Sequence, residues 1–139
     1  MAEVFAVASG ALSVAGFAGQ LAQSAAFLYD FFKDIKNAPK TVQRIGEELC
    51  ILTSILLEIQ KSYNIPDTDL RNSLQHCGKR LDEVLAFIKN IDPSQYAQKR
   101  RRLWSQCQVA LKRSDLMKYL VELDRCKLML VQACNNILR

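Results

Sequence analysis

The chain has 139 residues, enough for one domain with a single hydrophobic core. Half of the residues are hydrophobic, which excludes a disordered tail, and three prolines with five glycines are too few for a turn-rich β-protein. The formal net charge is +5, but residues 79–113 carry nine basic and three acidic side chains, a local charge of +6. Such a segment is attracted to anionic surfaces, although a solvated helix face is the simpler explanation.

The first predicted helix, over about residues 3–36, has no charged face for most of its length. No Asp, Glu, Lys or Arg occurs from Val4 to Tyr29, whereas a surface helix normally carries charges on its outer side. As a helix this run would be roughly 39 Å long, against about 30 Å for the hydrocarbon core of a bilayer. Its length permits a span, but its Ala, Gly, Ser and Gln content makes it only moderately apolar. It is therefore either a central core helix or a helix that can also enter a membrane.

Two faces of this first helix are apolar in different ways. A stripe of larger residues at three- and four-residue steps would dock the helix on a bundle, and a face of small residues would allow close helix approach. The docking stripe is predicted to contain Val4, Val7, Ala11, Val14, Ala18, Leu21, Ala25, Leu28, Phe32 and Ile35. The small-residue packing face is predicted to contain Ala8, Ala11, Ala15, Gly19, Ala22 and Ala26.

Prolines and polar residues divide the rest of the chain into further helices, predicted at about 39–63, 67–90, 93–112 and 115–138. Short connections between long helices predict an all-α, up-down bundle of about five helices, forming a single domain over residues 1–139. The clearest core stripes are Val42, Ile45, Leu49, Leu52, Leu56 and Ile59; Leu70, Leu74, Cys77, Leu81, Leu85 and Ile88; and Leu116, Leu120, Leu123, Leu130 and Ile137.

Neither the cysteines nor the single histidine form a recognisable site. The cysteine count is odd and no CxxC occurs, so a reduced, cytoplasmic chain fits best. His76 neighbours Cys77, and adjacent residues on a helix do not face each other. Cys107, Cys126 and Cys134 would need a fourth ligand to hold zinc. Glu3 is the only charge before the apolar run, where a signal peptide would carry Lys or Arg.

The chain is therefore predicted to be non-enzymatic. It contains no phosphate-loop, dinucleotide-binding, zinc-protease or nucleophile-elbow motif. We predict no catalytic residue, no metal and no cofactor. Trp104 beside Arg100–Arg102 could stack on a base, but a lone Trp is more often a core residue, and nucleic acid is not among the predicted partners.

Several segments resemble the HeLo-like N-terminal domains of fungal proteins. The resemblance rests on Met1–Gly10, on the small-residue helix that follows and on Lys36–Ile45, and it continues through Arg102–Trp104 to the leucine-striped last helix. Several positions that hold glycine in that family hold alanine or serine here, so a strict glycine zipper is absent. Such domains are helical bundles, similar to the four-helix bundle of the necroptosis pseudokinase MLKL, at the head of multidomain receptors.

The resemblance implies an effector domain of a fungal NLR- or STAND-type immune receptor, of the kind involved in heterokaryon incompatibility. It would oligomerise and target or permeabilise membranes through its first helix, causing regulated cell death. The implied membrane-active residues are Val4, Phe5, Val7, Gly10, Leu12, Val14, Gly16, Phe17, Gly19 and Leu21. The predicted anionic-lipid contacts are Lys99, Arg100, Arg101 and Arg102.

The partners implied are anionic membrane lipids, further copies of the chain, and an upstream receptor or amyloid-type signalling domain. The protein would be cytoplasmic and move to the plasma membrane on activation. The alternative is a soluble helical adaptor or oligomerisation module that binds a protein partner without membrane insertion.

Overall fold

The computed structural model describes residues 13–34, 40–63, 67–89 and 113–138. Within these residues the regular structure consists of four α-helices, and no strand is present. The helices are α1 (Val14–Lys33), α2 (Lys40–Ser62), α3 (Thr68–Lys89) and α4 (Arg113–Leu138). The all-α class expected from composition is therefore confirmed.

The last three helices begin and end within two residues of the ranges predicted from apolar periodicity. The helix predicted at about 93–112 lies outside the described residues. A bundle of five helices is therefore not confirmed.

α1, the first of the described helices, begins at Val14 because Ser13 caps it there. Ser13 has extended backbone, with φ −62° and ψ 166°, and its Oγ accepts a hydrogen bond from the backbone N–H of Gly16 at 3.1 Å. This hydroxyl satisfies one of the N–H groups that lack a partner in the first turn of a helix. The helix ends at Lys33, with Asp34 as its C-cap. One continuous apolar helix over 3–36 is not confirmed, and residues 1–12 and 35–36 lie outside the described residues.

Each described helix packs against two others. α1 packs along α2 and α3, and α4 also packs along α2 and α3. Consequently α1 and α4 occupy opposite corners of the bundle, and so do α2 and α3. The consecutive helices α2 and α3 are therefore diagonal to each other rather than neighbours.

Contacts between named residues show that α1 and α2 are antiparallel. Gly19, early in α1, lies against the side chain of Gln60, late in α2. Phe32, late in α1, lies beside Gly46, early in α2.

The second pair, α3 and α4, is also antiparallel. Asp69 at the start of α3 shares a cleft with Asn136 at the end of α4, whereas Arg80 further along α3 approaches Glu122 nearer the start of α4. The connection from Ser62 to Thr68 spans at most about 20 Å, much less than the roughly 34 Å length of α2. α3 therefore begins at the end of the bundle where α2 stops, and the helices alternate in direction.

The core consists of the predicted stripes. All six stripe residues of α2 are at most 1% exposed, and the described stripe residues of α3 are equally enclosed. In α4 the leucines of the stripe are buried, while Ile137 is half-buried and packs against the core. From α1 the core receives Val14, Ala18, Leu21, Ala25, Leu28 and Phe32, together with Phe17 and Phe31. Periodicity therefore identified most of the side chains that hold the bundle together.

Candidate functional site

The residues predicted to act on membranes lie mainly inside the bundle where they are described. Val14, Phe17, Gly19 and Leu21 are buried, and Gly16 is half-buried. The remaining members of the set lie outside the described residues, namely Val4, Phe5, Val7, Gly10 and Leu12. Val14, Phe17 and Leu21 form part of the hydrophobic core.

One member of the small-residue face of α1, Gly19, lies against α2. Gly19 and Ala22 are buried, and Ala15 and Ala26 are half-buried. A Cβ atom added at Gly19 would meet the end of the exposed Gln60 side chain, which would have to shift. Ala8 and Ala11, the other two predicted members, lie outside the described residues.

The outer surface of α1 is polar but uncharged until Asp30. Ser13 and Gln23 are exposed, and Gln20 is half-buried. None of the helices in the described part of the chain combines the length and hydropathy needed to cross a lipid bilayer.

The predicted lipid contacts Lys99, Arg100, Arg101 and Arg102 lie outside the described residues. Another basic residue of the same segment, Arg80, is engaged within the bundle. Its guanidinium lies 3.1 Å from Glu83 and 3.9 Å from Glu122 of α4. Its charge is therefore partly neutralised by the protein itself.

Glu122 is the centre of a polar cluster between α3 and α4. Its carboxylate lies 3.9 Å from His76 Nε2 and 3.7 Å from the guanidinium of Arg125, in addition to Arg80. At these distances the two arginine contacts are ion pairs rather than short hydrogen bonds, and the His76 contact is a longer polar approach. The cluster joins the polar edges of two helices and contains no arrangement of nucleophile and base.

A second polar contact joins α2 to α4. Lys127 Nζ lies 3.1 Å from Glu48 on α2 and 3.0 Å from Asp124 on its own helix. Hydrogen bonds from the ammonium to Asp124, and then to Glu48, raise the pKa of Lys127. The contact fixes the middle of α4 beside the first half of α2.

The described cysteines are free, and two of them meet inside the bundle. Cys77 and Cys126 are buried, and Cys77 Sγ lies 3.8 Å from the backbone oxygen of Cys126. A hydrogen bond with the Cys126 side chain, followed by burial, raises the pKa of Cys77. Burial, followed by the charge of Asp67, raises the pKa of Cys134. Cys77 and Cys134 therefore favour the protonated form, which is a poor nucleophile and a poor metal ligand.

No group of three or more His, Cys, Asp or Glu residues in the described ranges is placed to hold a metal ion. An open cleft of about 300 Å³ lies between the start of α3 and the end of α4. Its lining can donate and accept hydrogen bonds, and it consists of Asp69, Asn72, Ser73, Met129, Gln132, Ala133 and Asn136.

α4 also has an exposed apolar face, which was not predicted from its periodicity. Met117, Val121, Leu128 and Val131 are 41–58% exposed, although each is a large hydrophobic residue. They recur at three-, four- and seven-residue steps, so they lie along one side of the helix. The sequence contains this face as a second apolar stripe. Its residues are interleaved along the chain with the leucines of the core stripe.

One protein family has a model that matches residues 2–135, and its description is pigment biosynthesis cluster protein PigL N-terminal. None of the curated proteins and none of the solved structures matches the chain. Because the family match covers nearly all of the sequence, the chain belongs to the PigL N-terminal family.

Proposed function

We propose that this chain is a HeLo-like, non-enzymatic effector domain of a fungal immune-type receptor. It oligomerises on activation and permeabilises membranes through its N-terminal helical segment, causing regulated cell death. The proposal is carried by one observation: α1 has no charged side chain from Val14 to Tyr29, and no other described helix has an uncharged run of this length. The resemblance of Met1–Gly10 and Lys36–Ile45 to HeLo-like domains supports it.

The packing of α1 shows what its release would require. α1 buries five large side chains, Phe17, Leu21, Leu28, Phe31 and Phe32. At about 1.5–3 kcal/mol each, their burial contributes about 10 kcal/mol before the entropy cost of ordering the helix is subtracted. Release of the helix into water would give up this contribution. We expect release of α1 to require clustering of several copies of the chain and a membrane in which the same apolar side chains can be buried.

A vesicle-leakage experiment with a charged variant tests this proposal. Gly16 is the third residue of α1 and donates its N–H to Ser13. Gly16→Glu would complete a capping box with Ser13 and replace a poor helix former, a gain of about 1 kcal/mol. The same charge within a membrane-inserted helix would cost about 2.5–3.5 kcal/mol at the bilayer centre. The variant should therefore fold at least as well as the original chain and lose leakage activity.

The chain would be clustered by a fused tetrameric coiled coil and added to vesicles rich in phosphatidylserine. We expect dye release from the original chain and from Gly16→Ala, the uncharged control, and none from Gly16→Glu. Circular dichroism and urea unfolding would verify that all three fold. Equal leakage from Gly16→Glu, or no leakage from the clustered original chain, would contradict the membrane step.

The exposed apolar face of α4 favours a second candidate function, a soluble adaptor that assembles through helix faces. It predicts association of the chain in solution with neither vesicle binding nor leakage. In that case Gly16→Glu would change stability only.

A further inference from the structure

One face of α4 has a sequence pattern that its place in the bundle does not use. Met117, Val121, Asp124, Leu128, Val131 and Asn135 follow one another at steps of four, three, four, three and four residues. We refer to these six residues as the α4 seam. Its four apolar members are all exposed, whereas Leu116, Leu120, Leu123 and Leu130 form a different, buried face. A helix on the surface of a monomer needs only one apolar face.

We propose that the α4 seam is a self-association interface in which two copies of this chain pack α4 against α4 in antiparallel directions. Leu128 of each copy would face Val131 of the other, and Asp124 would face Asn135. The inference rests on the oligomerisation part of the proposed function and adds the surface, the partner and the orientation. It is independent of the membrane step.

The spacing of the seam is that of a coiled coil. Alternating steps of three and four residues keep apolar side chains on the line along which two helices meet. Val121 and Leu128 then occupy equivalent positions of successive heptads, and Asp124 and Val131 occupy the other apolar position. The polar Asp124 would specify register and orientation, the usual role of a polar residue in such a seam.

Asp124 favours one orientation. In a parallel pair each seam residue meets its own equivalent, so two Asp124 side chains, each 3.0 Å from Lys127 Nζ of its own helix, would face each other on a line that is otherwise mostly apolar. In an antiparallel pair with its two-fold axis between Met129 and Leu130, Asp124 meets the amide of Asn135 instead. Leu128 then meets Val131. In this register a polar side chain faces a polar one, and an apolar side chain faces an apolar one.

This matching identifies the partner as a second copy. A two-fold interface uses the same patch on both molecules, so the patch must be complementary to its own reverse. In this register the α4 seam meets the condition at Asp124, Leu128, Val131 and Asn135, whereas Val121 lies opposite position 138 and Met117 lies outside the paired stretch. The contact between Lys127 and Glu48 holds α2 alongside α4. Ile51 is exposed and follows Glu48 by three residues, as Val131 follows Lys127 by four, so in two parallel helices we expect Ile51 to extend the apolar area beyond α4.

Analytical ultracentrifugation of the 139-residue chain over a concentration series tests the interface. We expect a dimer of twice the 15.8 kDa chain mass. Leu128→Glu places a charge in the seam twice per dimer and should weaken association roughly 100-fold. Leu57→Glu is the matched control, since Leu57 is 50% exposed and lies nine residues after Glu48, about half a turn round α2 from the side that faces α4.

A second variant tests the orientation. Asn135→Lys would place an ammonium against Asp124 of the second copy in the antiparallel pair, where it would share the carboxylate with Lys127, and should tighten the dimer about threefold. In a parallel pair the two introduced lysines would meet, and association would weaken. Asn136→Lys adds the same charge next to the seam rather than in it, so its dissociation constant should be nearly unchanged.

A chain that remains monomeric at high micromolar concentration overturns the proposal, whatever the vesicles show. So does a dimer that survives Leu128→Glu, or one that Leu57→Glu weakens as strongly. Weaker association of Asn135→Lys overturns the antiparallel arrangement. A dimer with the expected responses and no vesicle leakage would support the α4 seam and contradict only the membrane step.

Discussion

At the scale of single residues, Cys77 links the stability of the bundle to pH. Its thiol is buried against Cys126, and this contact and its burial raise the pKa of Cys77. Below about pH 8.5 the thiol is protonated in both the folded and the unfolded chain. Above it, the unfolded thiol ionises while the folded one keeps its proton, so the stability that this group contributes is lost as pH rises.

We therefore expect the free energy of unfolding to fall between pH 8 and about pH 10, and to fall less steeply in Cys77→Ala. Urea unfolding in the presence of a reductant would measure both slopes. Cys50→Ala, at an exposed position, serves as the control and should keep the original slope. An unchanged slope in Cys77→Ala would show that other groups cause the alkaline loss of stability.

At the scale of the elements, apolar periodicity predicted the exposed and buried faces of a helix that has one apolar face. It did not do so for a helix that has two apolar faces. In α2 the predicted stripe is the buried face, from Val42 to Ile59. In α4 the stripe of leucines predicted the buried face correctly. The α4 seam was not predicted, because its apolar residues alternate along the sequence with those leucines. The beginning of α1 could not be predicted, since Ser13 is one of several uncharged polar residues in the run. Its capping role depends on backbone geometry that periodicity does not contain.

Two neighbouring leucines of α2 provide a direct test of this distinction. Leu56 is fully buried and Leu57 is 50% exposed, although the two have the same chemistry and the same helix. Leu56→Ala should lower the free energy of unfolding by about 2–5 kcal/mol, because it leaves a cavity in the core. Leu57→Ala should change it by less than about 0.5 kcal/mol. Denaturant titrations of the two variants would measure the difference, and similar losses would contradict the assigned faces.

At the scale of the whole molecule, the sequence predicted the all-α class and the alternating direction of the helices. It did not predict which helices pack side by side. Short connections are compatible with adjacent or with diagonal placement of consecutive helices. The choice here depends on packing between distant segments, because all four helices contribute side chains to one core. Contacts such as those of Gly19 with Gln60 and of Lys127 with Glu48 accompany this arrangement. Neither pair has a signature in one sequence. Of the candidate surfaces, the uncharged character of α1 was predictable, whereas the contact of Gly19 with α2 was not.

A disulfide between α1 and α2 would test whether α1 must leave the bundle to act on a membrane. A Cβ atom at Gly46 would lie 4.0 Å from that of Phe32, within the range of about 3.5–4.5 Å that disulfides require. The double variant Phe32→Cys, Gly46→Cys should therefore cross-link on oxidation. We expect the oxidised, clustered protein to release no dye from anionic vesicles and the reduced protein to regain release.

The reduced double variant is the control for the oxidised one. Both forms lack the Phe32 ring and differ only in the disulfide bond. Leakage from fully cross-linked protein would show that α1 acts without leaving α2. Mass spectrometry of proteolytic fragments would verify that the bond joins residues 32 and 46 rather than a native cysteine.

The diagonal placement of α1 and α4 has an evolutionary consequence. Since α1 and α4 each pack mainly against α2 and α3 and hardly against each other, a substitution on the outer side of α4 lies far from the side chains that hold α1. Mutations that alter the choice of partner can therefore accumulate on one corner of the bundle while the opposite corner stays under separate selection. A gene family built on this bundle could in this way diversify its associations without rebuilding the helix that carries the uncharged run.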